Sequence, residues 1–140
     1  MGPREGRDRI QARSAQLSVV DALELNEDGP SLVGGRCEAC GAHSFPLRER
    51  CPACGGALAR TLLPRRGTLW TWTTQGFEPK APYLSDGGEF KPYAVGYVEL
   101  AGLLRVEGRL VCAEPRIGMQ LEVMAIEHGG RLTYAFGDVT

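Results

Sequence analysis

The sequence predicts a mainly β protein in two parts, a short cysteine-built module followed by a small closed barrel of five strands. Three observations carry that expectation. Four of the five cysteines form two C-x-x-C pairs, Cys37/Cys40 and Cys51/Cys54. Nineteen glycines and nine prolines among 140 residues are more punctuation than a helical bundle tolerates. From Gly67 onward, short runs of apolar–polar alternation recur between turn signals.

The length leaves room for one ordinary domain or for a small module joined to a slightly larger one. With 43% hydrophobic and 24% charged residues the chain can bury a core, which excludes a disordered or fibrous protein. A net charge of −1 offers no bulk attraction to nucleic acid or to an anionic membrane. No stretch approaches the roughly 20 apolar residues of a membrane helix, and the polar start has no apolar signal core. A cytoplasmic protein without a membrane partner is expected. In a reducing compartment, paired C-x-x-C motifs point to a metal rather than to disulfides.

Residues 1–35 read as a tail and lead-in. Arg4, Arg7, Arg9 and Arg13 lie in a polar stretch without apolar spacing. Helix and strand compete over Ala15–Leu25, and Asn26-Glu27-Asp28-Gly29-Pro30 is a turn. Residues 36–66 form the cysteine module, too short to be stable on apolar burial alone, so a metal must supply the missing stability. Zinc supplies about 10–16 kcal/mol apparent in small sites of this kind. Each C-x-x-C knuckle presents two thiolates on one side, and facing pairs complete a tetrahedron of Cys37, Cys40, Cys51 and Cys54. Gly41 and Gly55-Gly56 permit the left-handed turns that aim N–H groups at sulfur. With all four positions filled by sulfur, the zinc is structural; iron fits the same spacing but is the lesser candidate. His43, nearby, reads as a loop histidine. The module is a rubredoxin-like zinc ribbon.

Residues 67–140 form the barrel. Its strands are expected at Thr68–Thr73, Tyr93–Leu100, Leu103–Val111, Gln120–Ile126 and Arg131–Phe136, with turns at Ala101-Gly102, Glu114–Gly118 and His128-Gly129-Gly130. Closing five short strands removes exposed edges, and an OB-fold is the leading architecture. Simple alternation puts Trp70 and Trp72 on one strand face, opposite Leu69, Thr71 and Thr73. A long loop, residues 76–92, carries Phe77, Lys80, Tyr83, Phe90 and Lys91.

Two constellations are candidates for contact with a ligand or a partner. Arginines outnumber acids in the ribbon by six to two, while the barrel carries −3. Arg48, Arg50, Arg65 and Arg66 suit phosphate groups or a protein interface, and a solvated face is an equal alternative. Trp70, Trp72, Phe77 and Tyr83, flanked by Lys80 and Lys91, could stack bases, cradle an adenine or acyl chain, or bury against a partner; core packing claims at least one Trp. There is no catalytic constellation: no nucleophile elbow, no phosphate-binding Gly-Lys motif, and Cys112 sits in an apolar strand end as an inert thiol.

Taken in order, Arg36-Cys37-x-x-Cys40-Gly41, Phe45-Pro46, Cys51-Pro52-x-Cys54-Gly55, Gly67-Thr68-Leu69-Trp70-Thr71-Trp72-Thr73, Pro92-Tyr93-Ala94-Val95-Gly96-Tyr97-Val98-Glu99-Leu100 and Arg116-Ile117-Gly118-Met119 resemble the zinc-ribbon and OB-fold proteins that accompany acyl-CoA enzymes. The resemblance spans Ser31–Phe136. It implies a non-catalytic accessory subunit of a thiolase-type or retro-aldolase enzyme, in a hetero-oligomer with a thiolase-like catalytic subunit that supplies the nucleophile and base. It also implies support of assembly and of coenzyme A ester binding. The chain departs from many relatives by lacking a Trp- and Leu-rich N-terminal helix. Its Phe77–Tyr83 stretch is similar to the small subunit of thiolases acting on aromatic acylsuccinyl-CoA esters. The rival reading is a single-stranded nucleic-acid-binding module, against which the charge of the barrel argues.

Overall fold

Backbone groups in short alternating segments are satisfied by pairing with neighbours. The computed structural model describes residues 18–19, 21–76 and 90–139, and every regular element among them is a β-strand. These are β1 (Ser18–Val19), β2 (Leu23–Asn26), β3 (Gly29–Cys37), β4 (His43–Ser44), β5 (Leu58–Leu62), β6 (Arg66–Gln75), β7 (Tyr93–Leu100), β8 (Leu104–Val111), β9 (Gln120–His128) and β10 (Arg131–Asp138).

The last five strands close a barrel in the order β6-β7-β8-β10-β9, with β9 returning to β6 through Gly67 opposite Leu121. All its neighbours are antiparallel except β10 and β8, which run parallel at Phe136/Leu110 and Gly137/Val111. That is the OB-fold arrangement, and closure removes the edges of a five-stranded sheet. The turns fall where they are expected. Ala101 and Gly102 both take positive φ between β7 and β8, and Gly129 and Gly130 do so between β9 and β10, the geometry a tight hairpin requires. Leu69, Val98, Leu100, Leu121 and Phe136 fill the interior and are fully buried. The wall is close-packed around them: a Cβ on Gly108 would meet the Phe136 ring at 2.7 Å. β1 adds in parallel to the start of β10, with Ser18 opposite Arg131.

The ribbon is larger than residues 36–66. In the stretch where helix and strand compete, strand wins, because β2 and β3 form a hairpin around Glu27 and Asp28. The Asp28 N–H donates to the Asn26 side chain at 3.0 Å, and Gly29 takes φ 109°. β3 pairs with β2 over its first half, then with β4 and β5 on its way to Cys37. A boundary at residue 35 therefore falls inside a strand, and residues 21–35 are an integral hairpin rather than a lead-in. The physical reason is tertiary: Leu23 and Leu32 are buried in one core with Leu63 and the barrel residues Leu69, Val98 and Phe136. The Leu63 N–H donates to Leu32 O, and the Val123 N–H to Arg65 O, sewing ribbon, linker and barrel together.

One expectation about faces is corrected. Leu69 pairs with Val98 and Thr71 with Tyr97, so Trp70 is the extra residue of a β-bulge. The bulge shifts the alternation by one. Trp70 lies on the side of Tyr97, whereas Trp72 stands opposite Gly96, on the face of β7 that also carries buried Val98. The two Trp do not share a face, and both keep substantial exposure, 49% and 37%. Neither is a core residue.

Because ribbon and barrel share a core, Leu32→Ala should cost about 2–5 kcal/mol and lower one cooperative transition, followed by Trp fluorescence from the barrel and by hydrogen exchange in β3. Separate transitions for the two probes would contradict the shared core. In Gly67→Ala, the new methyl meets Glu99 O at 2.4 Å. It should destabilise the folded chain by about 1–3 kcal/mol in denaturant titration.

Candidate metal centre

Cys37 ends β3, and Cys51 opens the second knuckle after the 45–50 loop. Both knuckles repeat one hydrogen-bond pattern. The Gly41 N–H donates to Cys37 O and the Gly55 N–H to Cys51 O, each at 2.9 Å, while the Cys37 and Cys51 N–H groups donate to Ala42 O and Gly56 O at 2.8 Å. Gly41 and Gly55 share φ 79°, which only glycine adopts without strain. The turns aim amides at sulfur: Cys40 N to Cys37 Sγ, Ala53 N to Cys51 Sγ and Gly56 N to Cys54 Sγ, all 3.4 Å.

The four Sγ atoms lie within 4.8 Å of one another. Cys37 and Cys54 are 3.5 Å apart and Cys40 and Cys51 3.7 Å. A tetrahedral ion with Zn–S bonds of about 2.3 Å needs sulfurs about 3.8 Å apart, so the set fits structural Zn²⁺. Cys37 and Cys51 are buried, whereas Cys40 and Cys54 are exposed, which places the centre at the rim of the ribbon. Gly56 leaves room for the centre, since a Cβ there would crowd it at 3.2 Å from Cys37 Sγ and 3.3 Å from Cys54 Sγ. His43 lies in β4 opposite Arg36 and outside the ligand group.

The electrostatics explain why a cation is needed. The Cys40 N–H, ahead of the smaller pull from Ala39, brings the Cys37 thiol down to about 6 against the opposing effect of burial. The Cys54 and Ala53 amides lower Cys51. At Cys54 the Gly56 N–H pulls the same way, yet the neighbouring sulfurs of Cys37 and Cys40 and burial push the thiol up to about 12. Sulfur anions this close repel, so the last proton leaves only when a metal takes its place.

The remaining candidate residues separate into groups. Arg65 folds back on the β2–β3 turn and donates to Asp28 O, and Arg66 pairs with Glu122 at 3.2 Å, so the fold itself uses both. Arg48 and Arg50 are exposed on the ribbon, with Arg50 donating to Gly55 O at 3.3 Å. Lys91 is exposed just before β7, and Phe77, Lys80 and Tyr83 lie outside the described residues. Trp70 is covered by the Arg105 guanidinium, 3.8 Å from its ring centroid, and meets Tyr97 edge-on at 6.5 Å. Arg109 stacks on Tyr93 at 3.7 Å. Sequence reasoning missed both of these arginines, although Arg105-x-Glu107-x-Arg109 alternates along β8 at the spacing of one sheet face. Cys112 is half-buried past the end of β8, where burial and then Asp138 raise its thiol.

Zinc binding to the metal-free chain at neutral pH should release protons, Cys54 foremost, so the apparent affinity should rise with pH and fall on acidification. Calorimetry in buffers of different ionisation enthalpy measures this; a pH-independent affinity would contradict a thiolate cage. Chelation or Cys37→Ser should remove hydrogen-exchange protection first at the knuckle amides of Gly41 and Gly55, while β3 and the barrel, which share a core, lose stability together.

Family models of two domains match the chain in tandem: the ChsH2 rubredoxin-like zinc ribbon domain over residues 30–59 and the ChsH2 C-terminal OB-fold domain over residues 61–125. The chain is 34% identical over 93 residues to benzoylsuccinyl-CoA thiolase subunit BbsA of Thauera aromatica, covering 64% of this chain and 60% of that protein. It is 33% identical over 98 residues to a DUF35 domain-containing scaffold protein of Methanocaldococcus jannaschii, covering 66% of each. The match thus spans less than two thirds of the length of these relatives. Among solved structures, a chain of the Ltp2-ChsH2(DUF35) aldolase superposes with a TM-score of 0.60 at 24% identity, over 79% of this chain and 86% of that one, and so shares the fold. The ribbon match begins at residue 30, inside the first half of β3, and so leaves out β2 and the turn before it. The chain belongs to the ChsH2 family of zinc-ribbon and OB-fold proteins.

Proposed function

We propose that this chain is a non-catalytic accessory subunit of a thiolase-type enzyme that breaks or forms a C–C bond in an acyl-CoA, and that it works in the cytoplasm. The observation that carries the reading is the closed metal centre. Four cysteines fill the tetrahedron, leaving no coordination position for water or substrate. The metal stiffens a scaffold, and the chemistry belongs to a catalytic subunit that brings the nucleophile and base. Kinship with a protein named as a thiolase subunit and with one named as a scaffold supports this reading. The exposed Arg48 and Arg50 of the ribbon, with Lys91, would meet the phosphates of a coenzyme A ester.

The outer barrel face bears on the nucleic-acid alternative. Arg105, stacked on Trp70, is also held by Glu99 at 3.1 Å, and the Tyr97 hydroxyl donates to Glu107 at 3.3 Å. Carboxylates interleaved with the aromatic rings repel a phosphodiester backbone and suit a protein surface, where Trp, Tyr and Arg concentrate.

Co-expression with a thiolase-type catalytic subunit should yield a stoichiometric complex, with thioester-dependent C–C cleavage only when both chains are present. The isolated chain should show neither turnover nor salt-sensitive binding of single-stranded oligonucleotides. A chain that stays alone with every such subunit, or that turns over a thioester unaccompanied, would overturn the proposal.

A further inference from the structure

We propose that the zinc centre is a site of oxidative modification: a peroxide expels the ion and leaves two disulfides, Cys37–Cys54 and Cys40–Cys51, joining the knuckles to each other. Two observations lead there. Cys40 and Cys54 are exposed, so one sulfur of each knuckle meets solvent oxidant. Each of them also has a buried sulfur of the opposite knuckle at close range, Cys37 at 3.5 Å from Cys54 and Cys51 at 3.7 Å from Cys40.

The chemistry follows from that geometry. An exposed sulfur attacks hydrogen peroxide, the O–O bond breaks, and a sulfenic acid forms with loss of water once a proton is taken up. The facing buried sulfur attacks the sulfenic sulfur; the S–S bond forms, the S–O bond breaks, and a second water leaves. Repeated at the other pair, the whole process takes one zinc tetrathiolate (net charge −2), two hydrogen peroxide and four protons to two disulfides, Zn²⁺ and four water. Four thiolates each lose one electron and the two peroxides gain them. Closing each bond needs the sulfurs to approach by about 1.5 Å, to the disulfide length of about 2.05 Å.

The pairing has a consequence for the fold. Disulfides across the knuckles connect the same two turns that the metal connects, so the ribbon stays closed after the zinc has gone. Disulfides within each C-x-x-C would leave the turns unlinked. Cys112 is half-buried and remote in sequence from both knuckles, and it should remain a thiol.

The arrangement of arginines makes the pairing readable. Arg36, Arg48, Arg50 and Arg60 place tryptic cuts so that Cys37 and Cys40 leave in peptide 37–48 and Cys51 and Cys54 in peptide 51–60. The zinc-loaded chain is treated with hydrogen peroxide, free zinc is followed with a chromogenic chelator, remaining thiols are alkylated, and the digest is analysed unreduced by mass spectrometry. The expected result is release of all the bound zinc together with a disulfide-linked pair of these peptides whose fragments assign 37 to 54 and 40 to 51, with Cys112 alkylated. Hydrogen exchange should still protect β3–β5. Separate peptides each carrying an internal disulfide, a linked pair assigned 37 to 51, or zinc retained with all five cysteines still open to alkylation after excess peroxide would each overturn the proposal.

Discussion

Like charges crowded into a few ångströms govern this molecule. Four sulfurs within 4.8 Å of one another need a cation among them to be ionised together. Much of the ribbon serves that requirement. The two glycines at φ 79°, the repeated amide-to-sulfur contacts and the bare flank at Gly56 all bring donors toward sulfur or keep bulk away from it. The metal in turn gives a short segment the stability its apolar content cannot.

What the metal organises at the rim, the core completes underneath. Leu23 and Leu32 from the hairpin and Leu63 from the linker pack with barrel residues, so the ribbon is not a separate bead on a string. Arg65 and Arg66 act at the joint, one on the hairpin turn and one on Glu122 of β9. Two cationic side chains that a composition argument offers to a phosphate already have partners in the fold, Arg65 on the β2–β3 turn and Arg66 across the β6–β9 pair of the barrel. Such a joint suits a scaffold, whose value to a partner lies in presenting surfaces at a constant angle.

The outer wall of the barrel shows how one residue out of step redirects a surface. The bulge at Trp70 separates the two Trp that plain alternation would group. It leaves Trp70 on a face with Tyr97, Arg105, Glu99 and Glu107, where each cationic or hydroxyl group already has a carboxylate. The aromatic content was legible as a concentration, but its partners were not. Arg105 lies far along the chain from Trp70, and only sheet pairing brings the two together.

The sequence by itself determined the elements whose cause is local. The C-x-x-C spacing dictates a four-sulfur site, period-two alternation dictates the barrel strands, and glycines mark the turns at Ala101-Gly102 and Gly129-Gly130. Left to tertiary structure were the outcomes that depend on distant residues: strand over helix at residues 23–25, decided by pairing with β3 and burial of Leu23 against the barrel; the bulge at Trp70, decided by register with β7; and the fate of each arginine, decided by which carboxylate or carbonyl the fold brings within reach. Local chemistry is written in adjacent letters, whereas pairing register and side-chain partners are properties of the closed chain.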